Sequence, residues 1–101
     1  MAGLRTAIRK EKAVQDELLI LVPVIVLGLV LGDGGVEKAL LIGSWLVVII
    51  AELLNSAIEA VTDRVGTEWN ELAGQAKDMG SAAVFVALCL AGLVWLLVIF
   101  G

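Results

Sequence analysis

The sequence predicts an all-α membrane protein: an N-terminal amphipathic surface helix, then three transmembrane helices, in a bundle that self-associates. Three observations carry this. Sixty per cent of the 101 residues are hydrophobic and only 18% are charged, with a mean hydropathy of +1.03. Ordinary globular chains are about 45–50% apolar and about 25% charged. A soluble domain of this size cannot cover its surface with so few polar groups. The apolar residues gather into helix-length stretches, and the charges gather at the N-terminus and in the second half of one stretch. The length allows a single domain, residues 1–101. The same composition excludes a disordered chain, and one cysteine, Cys89, excludes a disulfide-stapled mini-protein. A net charge of −4 without any basic run argues against a nucleic-acid partner.

The first element is the surface helix, about residues 3–17. At 100° per residue Leu4, Ala7, Ile8, Val14 and Leu18 share a stripe, with Arg5, Arg9, Lys12 and Asp16 opposite. That pattern suits a helix lying in the membrane interface. Glu11 falls inside the apolar stripe. It is either a snorkelling carboxylate or one needed on that side to meet a cation or a partner. The charged run before the apolar residues also predicts no cleavable signal peptide.

Span one covers about residues 18–32; its fifteen uncharged residues are short for a bilayer core, which needs about 20, so it extends into the preceding helix. Pro23 removes one backbone donor there and predicts a kink. Residues 32–35, Gly-Asp-Gly-Gly, form a tight turn. Span two, about residues 37–65, is long enough but is interrupted by Glu52, Asn55 and Glu59. A polar connector follows, and span three, about residues 78–100, is uncharged from Met79 to Phe100. Small residues at Gly28 and Gly32, and at Ala83, Ala87 and Ala91, allow close helix approach. Of Trp45, Trp69 and Trp95, only Trp69 stands where an interface marker is expected. Six lysines and arginines lie on the side of the N-terminus and second connector, against Lys38 alone on the other. The N-terminus is therefore expected to be cytoplasmic and the C-terminus outside.

The chemistry is concentrated in span two. Glu52, Asn55, Ser56, Glu59 and Asp63 follow at offsets of 3, 4, 7 and 11, which places all five on one helical stripe. A carboxylate in a span costs a few kcal/mol or more and so faces protein or water. Glu52 lies about 22 Å along the axis from Glu37, and Glu59 about 10 Å further. A polar packing seam would account for Asn and Ser; two glutamates and an aspartate exceed that need. Carboxylates without histidine or paired cysteine suit a hard cation, magnesium rather than zinc, completed by substrate phosphates. Lys77 and Asp78 open span three at the same depth. Lys77 is either a phosphate partner or a topology anchor. No GxxxxGK[ST] or GxGxxG occurs, so any nucleotide is held without those loops. Two function classes fit these residues: a phosphoryl-transfer enzyme, and a non-catalytic scaffold or ion pathway. A conduction path would need ionisable groups along the full depth, and the outer half of every span has none.

The segment Glu52-Leu-Leu-Asn-Ser-Ala-Ile-Glu59-Ala-Val-Thr-Asp63-Arg64, followed by Glu68 and Ala76-Lys-Asp-Met-Gly-Ser-Ala-Ala83, resembles the bacterial integral-membrane diacylglycerol kinases. That family includes the undecaprenol kinases, and the motifs here are more similar to the diacylglycerol branch. The resemblance runs from Gly3 onward. It implies a homotrimer with active sites shared between subunits at the cytoplasmic face of the bacterial inner membrane. The implied reaction moves the ATP γ-phosphate to diacylglycerol, giving phosphatidic acid, with undecaprenol as the alternative acceptor. By the resemblance Glu52 is the catalytic base and Glu11 and Glu59 hold Mg2+. Glu11, Asn55, Glu59, Glu68, Trp69, Asn70, Lys77 and Asp78 contact ATP. Ser81, with Glu52, lies on the lipid side. By the resemblance, family members usually carry a longer segment before Gly3, and often histidine where Asn70 stands.

Overall fold

The computed structural model describes residues 2–64 and 71–101. A short helix α1 (Ala2–Lys10) leads into three long ones, α2 (Lys12–Leu31), α3 (Gly34–Arg64) and α4 (Glu71–Phe100). The last three are long and apolar enough to cross a membrane. Two boundaries differ from the sequence expectation. The surface helix does not run unbroken to residue 17 but stops at Glu11, whose backbone is extended at φ −110° and ψ 109°. The third long helix starts at Glu71, a full two turns before the apolar run at residue 78, because hydrogen bonding continues through Ala-Gly-Gln-Ala-Lys-Asp. The break at Glu11 would leave the carbonyl of Ile8 without its helical partner. Gln15 supplies one: its Nε2 donates to the Ile8 oxygen at 2.5 Å, across the break. α2 continues as helix through Pro23.

α3 is the central element, packed along α2 on one side and along α4 on the other. The turn between α2 and α3 is closed by the Asp33 amide donating to Glu37 Oε1 at 3.0 Å. Gly34 adopts φ +81°, a left-handed conformation that side chains other than glycine resist. The four helices together form a slab of 51 × 27 × 16 Å, its long axis a little above the about 40–45 Å of a bilayer with its headgroups.

So thin a slab buries few side chains. Val14, Leu41 and Val48 are fully enclosed, and Val48 packs on Ala87 and Ala91 with Trp45 and Ala51 around them. Two residues of the expected alanine ladder are thus at the helix contact, while Ala83 is exposed. Most leucines, isoleucines and valines remain on the surface, as befits helices facing lipid or other copies. Cys89 is an exposed free thiol.

Two indole N–H groups tie the slab together. Trp45 on α3 donates to the Glu17 carbonyl on α2 at 2.9 Å, and Trp95 on α4 donates to the Leu41 carbonyl on α3 at 3.0 Å. Both tryptophans are half-buried cross-helix clasps.

Candidate active site

The polar stripe of α3 begins at Glu52, half-buried in the second half of the helix. The buried residues of α2, Val14, Glu17, Val24 and Gly28, recur at intervals of three, seven and four, a seam turned toward its neighbours. Glu17 occupies that seam and is 9% exposed. Its carboxyl lies against that of Glu52, and its Oε2 is buried with no hydrogen-bond partner. Sequence reasoning missed Glu17, treating it as the end of the charged N-terminal run. The signal was present: a carboxylate inside a heptad-spaced apolar seam.

One turn beyond Glu52, Asn55 faces α4. Its Nδ2 donates to Glu59 Oε1 at 3.4 Å, while its Oδ1 is buried and without a partner. The carboxamide can lie there because residue 80 is glycine; a Cβ at Gly80 would fall on the Asn55 oxygen. The Gly80 of the Lys-Asp-Met-Gly motif is therefore complementary to the Asn55 of the other motif. Further along, Lys77 of α4 forms an ion pair with Asp63 of α3, both partly exposed. Asp78 and Ser81 are exposed on α4.

Glu11, the residue at the break, is half-exposed and lines a cavity of about 690 Å³ between α1 and α3. Lys10, Thr6 and Ser56 share its lining, and the remaining surface comes from small and apolar side chains such as Leu4, Leu53 and Ala57. A cavity with an ionic rim and apolar walls suits an amphipathic guest.

Thus Glu52 interacts with Glu17 of α2, Asn55 and Glu59 are joined by a hydrogen bond with Asn55 toward α4, Lys77 reaches α3 through Asp63, and Glu11 opens on a cavity that Ser56 also lines. Glu68, Trp69 and Asn70 lie outside the described residues. Among the described residues no group of three or more His, Cys, Asp or Glu side chains converges as a metal cage.

Comparison with known proteins gives the family of the chain. A sequence model described as prokaryotic diacylglycerol kinase matches residues 1–99. The chain is 48% identical over 95 residues to a diacylglycerol kinase of Haemophilus influenzae, covering 94% of this chain and 80% of that protein. It is 44% identical over 99 residues to the Escherichia coli K12 diacylglycerol kinase, covering 98% and 81%. A Helicobacter pylori diacylglycerol kinase is 38% identical over 93 residues, covering 92% and 73%.

Proposed function

The chain belongs to the prokaryotic diacylglycerol kinase family, and on that premise we propose that it transfers the γ-phosphate of ATP to the free hydroxyl of diacylglycerol. It is a membrane-embedded lipid kinase. Glu52 is its general base. The lipid hydroxyl oxygen attacks the γ-phosphorus, its proton passes to the Glu52 carboxylate, and the bond to the β–γ bridging oxygen breaks to release ADP. The observation that carries this assignment is the carboxyl pair itself: half-buried Glu52 interacts with the buried Glu17, one oxygen of which has no partner. A lipid hydroxyl entering there has a single proton, and the carboxylate that takes it is Glu52.

Glu11 and Glu59 are the residues that would hold magnesium, and the all-oxygen character of this site fits that ion. A cage of three or more protein ligands is not required, since magnesium is bound by one or two carboxylates and completed by nucleotide phosphates. Bound there, it neutralises charge that spreads over the non-bridging oxygens during transfer. Lys77 leaves Asp63 to meet a phosphate, Asp78 and Asn55 border the nucleotide, and Ser81 lies toward the lipid. Glu68, Trp69 and Asn70 complete the nucleotide contacts. One slab of three helices leaves room for a second copy to contribute to the ATP site, and on the family resemblance the working enzyme is a homotrimer with sites shared between copies. The N-terminus and the site face the cytoplasm at the inner membrane, and the C-terminus lies outside.

The experiment is a radiolabelled-ATP assay of purified protein in mixed micelles, offering diacylglycerol and undecaprenol in parallel. Phosphatidic acid as the dominant product is expected; preferential labelling of undecaprenol would move the chain to the other branch. Sharing between copies is tested by mixing two inactive variants, Glu52→Gln and Asp78→Asn. Partial recovery of activity is expected, and no recovery across several such pairings would place each site within one copy.

A further inference from the structure

We propose that Trp45 is a positioning residue for the reaction: its indole N–H holds the Glu17 backbone so that the Glu17 carboxyl stays against Glu52. The inference rests on the reading of Glu52 as base. Trp45 precedes Glu52 by seven residues, about two turns and about 10 Å, so both side chains leave α3 on the same face. That face meets α2. The bond from Trp45 Nε1 goes to the carbonyl of Glu17 itself, at 2.9 Å. A helical carbonyl keeps a second lone pair after its own helical bond, so the clasp costs α2 nothing.

The rest of the buried face of α2 is Val14, Val24 and Gly28, which make non-directional contacts. Within a membrane such contacts have no hydrophobic drive behind them, because lipid tails are equally apolar. Gly28 seats Ile42 closely near the turn end of α2, about 16 Å along the helix from Glu17. A shift of α2 by one residue moves it about 1.5 Å along and about 100° around its axis, enough to turn Glu17 away from Glu52. A hydrogen bond on the Glu17 backbone opposes that shift at the residue where it matters. The donor is itself held, since the Trp45 ring packs on the Val48–Ala87–Ala91 cluster.

Trp95 provides an internal control of the same chemistry. Its Nε1 donates to the Leu41 carbonyl at 3.0 Å, but Leu41 lies eleven residues, about 16 Å, from Glu52 and carries no polar group.

The test is steady-state kinetics of the full chain in mixed micelles. Trp45 is replaced by Phe and, to preserve the packing, by a benzothienyl isostere that lacks only the N–H donor. Trp95→Phe, Glu17→Gln and the Glu17→Gln/Trp45→Phe double variant complete the set. Both Trp45 variants should lower kcat about tenfold, since misplacement by an ångström can cost up to about 100-fold, with the KM for ATP within about twofold. Trp95→Phe should change kcat less than about twofold, and in the Glu17→Gln background Trp45→Phe should add no further loss. Equal losses from Trp45 and Trp95, or full additivity with Glu17→Gln, would overturn the proposal. So would an isostere with unchanged kcat while Glu52→Gln is inactive. A fully active Glu52→Gln would instead overturn the underlying reading of the base.

Discussion

The two halves of the bundle treat their polar atoms in opposite ways. Toward the α2–α3 turn, polar groups have partners: the Asp33 amide has Glu37, and Ser44 Oγ and Trp95 Nε1 both donate to the Leu41 carbonyl. Toward the other end, two buried oxygens, Glu17 Oε2 and Asn55 Oδ1, have none, and the Asn55–Glu59 contact is stretched to 3.4 Å. Buried polar groups are normally satisfied, and each exception asks for an explanation. Among the described residues both open oxygens lie in the half that carries the proposed site. On the proposed reading, the half with the open oxygens is the one that meets substrate.

This contrast can be broken by substitution. The largest effect should come from Glu52→Gln, which keeps shape and removes the base. Activity should fall about 100-fold or more with the circular dichroism of the wild type; near-normal turnover would remove Glu52 from its role. Next, Glu11→Gln and Glu59→Gln should each raise the magnesium midpoint of activity about tenfold at saturating lipid, in the range seen when groups that support a metal are lost. A wild-type midpoint in both variants would refute the ligand assignment. The smallest effects come from paired glycine substitutions. Gly80→Ala places a methyl on the Asn55 carboxamide and should lower kcat about fivefold, at a packing cost of about 1–3 kcal/mol. Gly34→Ala meets no neighbour but keeps φ +81°, so it should cost about 1 kcal/mol of stability and leave kcat unchanged. If both alanines acted on stability alone, the two halves would not differ as described.

The spans and the stripe of α3 were legible because a carboxylate in an apolar helix is costly, and a 3.6-residue period reports which of them share a face. Glu52, Asn55 and Glu59 stood out on that ground. Glu17 did not, because it sits one residue before the apolar run and passed for the end of a solvated segment. Only its spacing from Val14 and Val24 marks it. The break at Glu11 has no proline or glycine to announce it; it follows from how α1 and α2 sit, and Gln15 repairs it from a distance of seven residues. The indole clasps were beyond periodicity altogether. Trp45 and Trp95 reach carbonyls 28 and 54 residues away, and those pairs exist only once the helices have chosen neighbours. Asn55 and Gly80 belong to the same class: each motif is readable alone, but their complementarity needs both helices in place.

The interruption at Glu11 leaves α1 with nine residues. An isolated helix below about 12–15 residues is marginal in water, because nucleation outweighs so few propagation steps. α1 packs in the structure chiefly on the start of α2, and only Ala7 along its length is buried. Its coil-to-helix transition and its docking are consequently one thermodynamic event. Amide exchange in Ala2–Lys10 then serves as a built-in gauge: protection there measures how firmly the surface beneath is occupied, and it should track the surrounding lipid while the cores of α3 and α4 exchange unchanged.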